Sequence, residues 1–268
     1  MTVCVAIKVH DCIVFAADSA VSLSTTYPDG SSAVSNVWKH GLKVFNLHRD
    51  IPIVAMTAGL GNFGSMSISS MAKDLRTSLT EKLCQDNYTI AEAVEFTQNH
   101  FQEEYSRSHE NVVPHHSFEF WVGGYGHDNS HGEIWKVVLQ EGSWVEPIQI
   151  SPPEASDQVV WGGQVQAISR LLLGHDHEVL RISGLSGDKF TELHTPLVHS
   201  SMPVQDAIDL ADFLVDMTKR YVAFLPGADT VGGDTDIATI TRHEGFRWIR
   251  RKHYYPDHLN KRTTGHAT

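Results

Sequence analysis

The sequence predicts an α+β fold, in which two antiparallel sheets pack together and each carries a pair of helices on its outer face. Three observations indicate this class. The chain begins with a period-two strand pattern, amphipathic patterns mark the longer helices, and strands and helices come in runs. Such runs are typical of α+β proteins, whereas a parallel α/β sheet requires the two element types to alternate.

Strands open the chain. Residues 2–9 alternate small or polar side chains with apolar ones, which predicts a half-buried strand. Residues 12–18 are expected to form the return strand of a hairpin. A loop is predicted over residues 22–36 because Ser, Thr, Gly and Pro dominate there. Two more strands are expected at residues 42–48 and 51–58.

Helices and further strands follow. One helix is predicted after a glycine-rich turn and ends at about Cys84. A second begins at Thr89, where Thr89 and Glu92 form a capping box. The remaining predicted elements are strands at residues 118–126, 132–139 and 157–163, helices at residues 164–174 and 204–224, and closing strands at residues 236–242 and 246–252.

These elements are interpreted as a single domain over residues 1–252, since no internal repeat or linker interrupts them. Two polar or irregular segments, at about residues 22–38 and 175–200, are interpreted as insertions. Residues 253–268 are expected to form a loose C-terminal tail.

Composition narrows the classes of function. The chain has 268 residues and a net charge of -11, which disfavours nucleic acid as the main partner because such binding depends on Lys and Arg. Cys4, Cys12 and Cys84 show no CxxC or metal-ligand spacing, so no metal or cofactor is expected. We expect these thiols to be reduced and the protein to be cytoplasmic. We find neither a secretory signal nor an unbroken apolar stretch long enough to span a membrane.

The segment from Gly59 to Gly64 fits the GxGxxG pattern. A dinucleotide-binding module is one interpretation, but its fingerprint requires a second strand where this chain continues with the helix from Thr89. The turn would also suit an oxyanion hole, because glycines leave backbone N–H groups accessible. A tight turn without any ligand is the remaining interpretation.

Two charged residues occur in apolar strand patterns. Asp18 ends the apolar run at residues 13–17, and Lys43 lies on the same strand face as Phe45 and Leu47. A buried charge is costly unless it is paired, so an Asp18–Lys43 ion pair would resolve both cases. The alternative is that each side chain reaches solvent at its strand end.

Thr2 is a candidate nucleophile. If Met1 is removed, Thr2 carries a free α-amine beside its own hydroxyl, and the predicted hairpin brings it close to Asp18. A threonine hydroxyl paired with an N-terminal amine is an activated nucleophile. A nearby lysine cation and partial burial would lower the pKa of the amine and leave more of it neutral. Register is decisive, since a slip by one residue reverses the strand face.

These residues together resemble the proteasome β-subunit family of N-terminal nucleophile (Ntn) hydrolases, most closely its bacterial proteasome-like, Anbu-type members. The family pattern is a Thr, a hairpin, Ala-Asp-Ser, a Lys before an apolar strand, and Ala-Gly. In this chain the pattern corresponds to Thr2, Asp18, Lys43 and Gly59, with their neighbours. The resemblance implies a four-layer αββα sandwich, a ring or helical homo-oligomer and hydrolysis of amide bonds.

The resemblance also implies roles. Thr2 would attack the scissile carbonyl, Lys43 held by Asp18 would lower the pKa of the amine, and the Gly59 N–H would stabilise the oxyanion. The substrate-pocket positions would be Val21, Gly41, Thr57 and Gly61.

The chain departs from the family at its supporting residues. Gly162 and Val231 stand where the family has serines, and the family's later aspartate is displaced by one position, so Asp229 is a weak candidate only. In the family these residues help to orient the amine of the nucleophile. We therefore predict a threonine-type peptidase acting on peptides or proteins, with any unfoldase partner unknown. The alternatives are an Ntn amidase or acyl-transfer enzyme for a small molecule, and a non-catalytic proteasome-like assembly protein.

Overall fold

This computed structural model of the chain describes residues 2–27, 32–108 and 116–252. The strands are β1 Val3–Lys8, β2 Ile13–Ala17, β3 Val21–Thr26, β4 Ser32–Trp38, β5 Val44–Asn46, β6 Ile53–Gly59, β7 Asn62–Phe63, β8 Met66–Ser67, β9 Phe118–Gly124, β10 Glu133–Gln140, β11 Ser143–Ser151, β12 Gln158–Gly163, β13 Asp236–Thr241 and β14 Gly245–Arg250. The α-helices are α1 Ile68–Lys82, α2 Ile90–Ser108, α3 Gln166–Leu173, α4 His177–Ser183 and α5 Val204–Ala223, and a 3-10 helix spans Gly187–Leu193.

Two five-stranded sheets dominate the fold. The first has the strand order β12-β1-β2-β13-β14 and the second β11-β10-β9-β6-β5. Neighbouring strands in both sheets pair antiparallel. The predicted antiparallel sheets and the mixture of strands and helices are therefore confirmed.

Three clusters of buried side chains hold these elements together. In one, Phe101 from α2 and Leu75 from α1 pack on the second sheet. In another, Leu214 from α5 and Ile168 from α3 pack on the first sheet. A third cluster fills the space between the sheets, and it includes Trp121 from β9. Thr2 lies at the end of this intersheet space, because the side chains that share its strand face, beginning with Cys4, belong to the third cluster.

The glycine-rich turn differs from its prediction. β6 ends at Gly59, and the short β7–β8 hairpin separates this glycine from α1, so the turn does not open the helix. The helix begins at Ile68 because the Ser67 side chain caps it and accepts a hydrogen bond from the Ser70 N–H at 3.2 Å. As predicted, Thr89 and Glu92 cap α2 reciprocally.

The loop predicted at residues 22–36 was wrong for residues 22–26 and 32–36, which form strands. β3 and β4 pair antiparallel as a separate two-stranded sheet, with Val21 opposite Trp38. The Ser and Thr content of this segment suggested a loop. These residues alternate with Leu23 and Val34 at the spacing of a strand, however, and this alternation determines the structure here more than the composition does.

Two further segments are more regular than expected. The segment 175–200 contains α4 and the 3-10 helix, and Asp176 caps α4 by accepting the Val179 N–H at 2.9 Å. β11, which contains Pro147, was not predicted. Its place at a sheet edge tolerates proline. The predicted tail at residues 253–268 lies outside the described residues.

Candidate functional site

Asp18 lies at the end of β2 and is fully buried. Its Oδ1 accepts the Val3 N–H at 3.0 Å, and its Oδ2 accepts the N–H groups of Ala20 at 3.0 Å and Gly232 at 2.9 Å. Three backbone donors thus fix a carboxylate between β1, β2 and the loop before β13.

Lys43 completes the arrangement. Its Nζ lies 2.7 Å from Asp18 Oδ1, and the exposed fraction is 6% for the lysine side chain and zero for the aspartate side chain. The ion pair that the sequence predicted is therefore formed, and neither side chain reaches solvent at a strand end.

Thr2 directly precedes β1 and is 5% exposed. The register pairs Cys4 with Ala17, and the Asp18 N–H reaches the Val3 carbonyl at 3.3 Å, so Thr2 lies beside the ion pair. The Thr2 carbonyl accepts the Gln164 N–H at 2.6 Å. Any side chain at Gly163 would collide with this carbonyl, and Gly163 also has a φ of 77°. Glycine at this position therefore allows the backbone after β12 to approach the Thr2 carbonyl closely.

The Gly59 N–H is directed towards the same place. Along a strand, N–H groups of residues two apart point to one side. The Thr57 N–H donates to the Lys43 carbonyl at 2.9 Å, so the Gly59 N–H points to the side of Lys43. On the other side, the Leu60 N–H donates to the Ser117 carbonyl. Gly59 itself has a φ of 89°, which favours glycine.

Three of the four predicted pocket positions meet around one side chain. Added side-chain atoms at Gly41 and Gly61 would both contact Val21 at the start of β3. Thr57 is 6% exposed, and its hydroxyl donates to the Glu119 carbonyl at 3.2 Å. The β3–β4 hairpin thus begins at the wall of the candidate pocket.

No protein-family model and no curated protein matches the chain. Solved structures do. The chain is similar to the helical assembly of the Anbu complex from Pseudomonas aeruginosa, with a TM-score of 0.53 and 17% identity over 94% of this chain and 88% of that chain. It is also similar to a Gly-1 mutant of Anbu from Hyphomicrobium sp. strain MC1, with a TM-score of 0.54 and 16% identity over 94% of this chain and 86% of that chain.

The fold is similar to that of Anbu proteins. The resemblance to bacterial proteasome-like, Anbu-type proteins that the sequence indicated is confirmed at the level of the fold. At identities of 16–17% the likeness shows the fold alone, so the chemistry must be inferred from the site itself.

The departures from the family pattern have structural counterparts within this Anbu-like fold. Val231 is fully buried and packs in the cluster beneath α5. Asp229 lies 3.6 Å from Lys39 in an ion pair at the surface. An added Cβ at Gly162 would lie 2.7 Å from Trp121 Cζ2 and 3.3 Å from Glu119 Oε2. The position of the family's first serine therefore has neither the side chain nor the room for it.

Cys4 is the thiol next to Thr2 on the same strand face. Its Sγ lies 3.4 Å from the Thr57 carbonyl, and the residue is fully buried. Burial raises the pKa of the Cys4 thiol strongly, and the charge of Lys43 only partly opposes this. Cys4 is therefore a neutral thiol and a poor competitor for the role of nucleophile.

A second buried ion pair lies behind Asp18. Lys252, just after β14, donates to Asp236 Oδ2 and to the Ser19 hydroxyl, and Ser19 donates to the Asp234 carbonyl. These contacts fix the residue that follows Asp18. Sequence reasoning missed these contacts. Asp236 begins an apolar strand, and a charge in an apolar strand pattern is the same kind of signal that identified Asp18.

Other kinds of site find little support in the described parts of the chain. Within residues 2–27, 32–108 and 116–252, no group of three potential ligand side chains could hold a metal ion. Each helix in these ranges is too short or too polar to span a membrane.

Proposed function

We propose that the chain is a threonine-type N-terminal nucleophile peptidase, which hydrolyses amide bonds of peptides or proteins after Met1 has been removed. One observation carries the proposal. A buried Asp18–Lys43 ion pair lies beside Thr2, at the end of the intersheet space of an Anbu-like fold. Burying an ion pair is costly, so its place at the N-terminal threonine argues for a task beyond stability.

In the proposed mechanism the Thr2 amine takes the proton of the Thr2 hydroxyl as the Oγ attacks the scissile carbonyl. The Lys43 cation disfavours the ammonium form of this amine, so more of it is neutral near pH 7. The Gly59 N–H donates to the developing oxyanion. The amine then protonates the leaving nitrogen, an acyl-enzyme remains on Thr2, and water releases it.

Asp18 acts by holding the lysine rather than by touching the substrate. Its four donors come from four separate parts of the chain: Val3 on β1, Ala20 just after β2, Lys43 before β5 and Gly232 in the loop before β13. Its carboxylate therefore fixes the distance between the Lys43 cation and the N-terminus.

The proposal extends to assembly and architecture. The sheets and helices form a four-layer αββα sandwich within a single domain at residues 1–252, and copies of the chain associate into a homo-oligomer in the cytoplasm. The support is the solved Anbu neighbour, which is a helical assembly. A closed chamber would favour protein substrates, whereas an open cleft would favour the small-molecule amidase.

The missing serines favour a second candidate, a non-catalytic assembly protein that keeps the fold. Gly162 lacks a hydroxyl beside the nucleophile, and Val231 turns the second position into core. This candidate requires that amide hydrolysis is absent even when Thr2 is the first residue.

Hydrolysis of fluorogenic peptide amides by the wild type and by three variants tests the proposal. We expect Thr2→Ala to abolish hydrolysis, because it removes the hydroxyl while still allowing removal of Met1. Thr2→Ser should retain it. The control Thr77→Ala changes an exposed threonine on α1 and should match the wild type. Hydrolysis by Thr2→Ala at the wild-type rate would overturn the proposal.

A further inference from the structure

Glu119, Trp121 and Lys136 form a cluster on the intersheet side of the second sheet. The Trp121 Nε1–H donates to Glu119 Oε2 at 2.8 Å, and Lys136 Nζ lies 3.1 Å from the same oxygen. Lys136 Nζ also lies 4.3 Å from the centre of the Trp121 ring. Trp121 is fully buried and the Glu119 side chain is 30% exposed, so a buried indole and a lysine hold one oxygen of this carboxylate.

The Glu119 carboxylate lies where a side chain at residue 162 would project. An added Cβ at Gly162 would be 3.3 Å from Glu119 Oε2. The sequence resemblance assigns to this position the first serine that helps to orient the nucleophile's amine. The absence of a side chain at Gly162 therefore leaves space for the Glu119 carboxylate.

This position faces Thr2. Gly162 pairs directly with Cys4 in the β1–β12 ladder, and residues paired in this way have their side chains on one face. Thr2 is two residues before Cys4 and shares that face. Diagonal neighbours of this kind lie about 7–8 Å apart. The Glu119 carboxylate approaches Gly162 from β9, so it lies on the face of β1 that Thr2 shares.

We propose that Glu119 is a positioning residue that accepts a hydrogen bond from the α-amine of Thr2, in place of the missing serine. This inference rests on the proposed function. Within the described residues both donors to Glu119 reach Oε2, which leaves Oε1 as the acceptor for the amine. Lys136 and Trp121 hold the carboxylate in position.

The charge of Glu119 opposes that of Lys43. A carboxylate near the amine favours the ammonium form, whereas a lysine cation disfavours it. Among the described residues, the charged and titratable groups on the elements around Thr2 include Asp18 and Lys43 beside it, Glu119 on β9, Lys136 on β10 and the Cys4 thiol on β1. Glu119 thus anchors the amine, and Lys43 keeps part of it neutral.

The pH dependence of acylation of the Thr2 amine tests this inference, because only the neutral amine reacts. The probe is a trace of acetic anhydride, and N-terminal acetylation is read by peptide mass spectrometry. We expect Glu119→Gln to move the midpoint to lower pH by about one unit, since the amide keeps an acceptor but loses the charge. The matched control Glu146→Gln, at an exposed position on β11, should leave the midpoint unchanged.

Lys136→Met provides the opposite test. It removes a cation while the Trp121 indole still holds Glu119, so the midpoint should move to higher pH. If Glu119 had a merely structural role, the midpoints of both variants would shift in the same direction, or neither midpoint would shift. If Glu119→Gln fails to fold, the direction of the Lys136→Met shift decides the question.

The outcomes separate the two proposals. Unchanged midpoints in both variants, in a chain whose Thr2 reacts covalently with a β-lactone, overturn the role of Glu119 and leave the proposed function standing. A wild-type chain that retains Met1, or whose Thr2 never reacts, overturns the proposed function and the role of Glu119 with it.

Discussion

Asp18 carries more interactions than any other side chain at the site. Its carboxylate accepts three backbone N–H groups and the Lys43 ammonium without exposure to solvent. A buried pair of this kind contributes little net stability, yet losing one partner leaves the other charge uncompensated.

We therefore expect Asp18→Asn to destabilise the fold by about 3–5 kcal/mol, because Lys43 stays buried without its counter-charge. Urea unfolding at pH 7 measures this. Asp128→Asn, whose side chain is 97% exposed, serves as the control and should unfold at the wild-type midpoint. A variant of Asp18 as stable as that control would contradict the interpretation of the ion pair.

Restoring the family's serine at Gly162 is a second test at this scale. Gly162→Ser should destabilise the protein by about 1–3 kcal/mol, because its Cβ would lie 2.7 Å from the buried Trp121 ring. It should not raise peptidase activity. Thermal unfolding and the peptide assay check both expectations, and a more active variant of wild-type stability would show that the space is open.

Sequence reasoning identified Asp18 and Lys43 because a charge in an apolar strand requires a partner. It could not identify Glu119 as part of the site. Glu119 is brought there by the pairing of β9 with β6, a contact between strands about 60 residues apart that no local pattern encodes. The donor role of the Gly232 amide likewise depends on the loop before β13 folding back onto β2.

Among the elements, the end of β6 has the clearest sequence requirement. Gly59 has a positive φ, and any Cβ there would collide with the Ser117 carbonyl. Gly61 is close in sequence, but an added Cβ would meet only Val21 Cγ1, at 3.4 Å.

We expect Gly59→Ala to reduce peptide hydrolysis by about 100-fold or more, a loss typical of such donors. The reason is that moving the backbone displaces the N–H that we propose as the oxyanion donor. Gly187→Ala is the control and should fold and retain the wild-type activity, because Gly187 has no positive φ and an added Cβ would make only ordinary contact with His175, at 3.6 Å. Comparable rates for the two variants would exclude the Gly59 amide as an oxyanion donor.

β1 contains a buried lysine whose ionisation should affect stability. Lys8 is 2% exposed, and its ammonium donates to the Pro152 carbonyl at 2.6 Å. Burial lowers the pKa of Lys8 from 10.5 to about 8, although Glu133 and Glu154 partly oppose the shift. Between these values the unfolded chain binds the proton more tightly than the folded chain, so the free energy of unfolding rises with pH.

The expected rise from Lys8 between pH 8 and pH 10.5 is about 3 kcal/mol. Lys8→Met should remove it, whereas Lys189→Met, at an exposed position, should preserve the wild-type profile. Urea unfolding across this pH range provides the measurement. An identical pH profile in Lys8→Met and the wild type would refute the assignment.

The predictability of elements followed the strength of their patterns. The long amphipathic α5 and the capped α2 were predicted because local sequence determines them. β3, β4 and β11 were not, since β11 depends on its edge position and the β3–β4 hairpin is composed largely of residues typical of loops. The fold class was nevertheless recoverable, because it depends on the order of the strong elements.

For the whole molecule, the proposed homo-oligomer agrees with apolar side chains left exposed on the surface. Phe213 on α5 is 51% exposed, and Phe224 at its end is 90% exposed. Exposed apolar patches commonly mark contacts with other chains.

We expect light scattering at micromolar concentration to give a mass several times that of one chain. Phe224→Asp should lower this mass if the end of α5 lies in the contact, while Asp128→Asn should not. A single-chain mass for the wild type at all concentrations would contradict the proposed assembly.

The central claim is that the hydroxyl and the freed amine of Thr2 act together. Intact mass spectrometry after incubation with a peptide epoxyketone tests it most directly, because this reagent requires both groups on one residue. The account predicts a chain without Met1 that gains one inhibitor on Thr2, and no gain in Thr2→Ala. A native chain that still begins with methionine and cleaves peptides at the normal rate would contradict it.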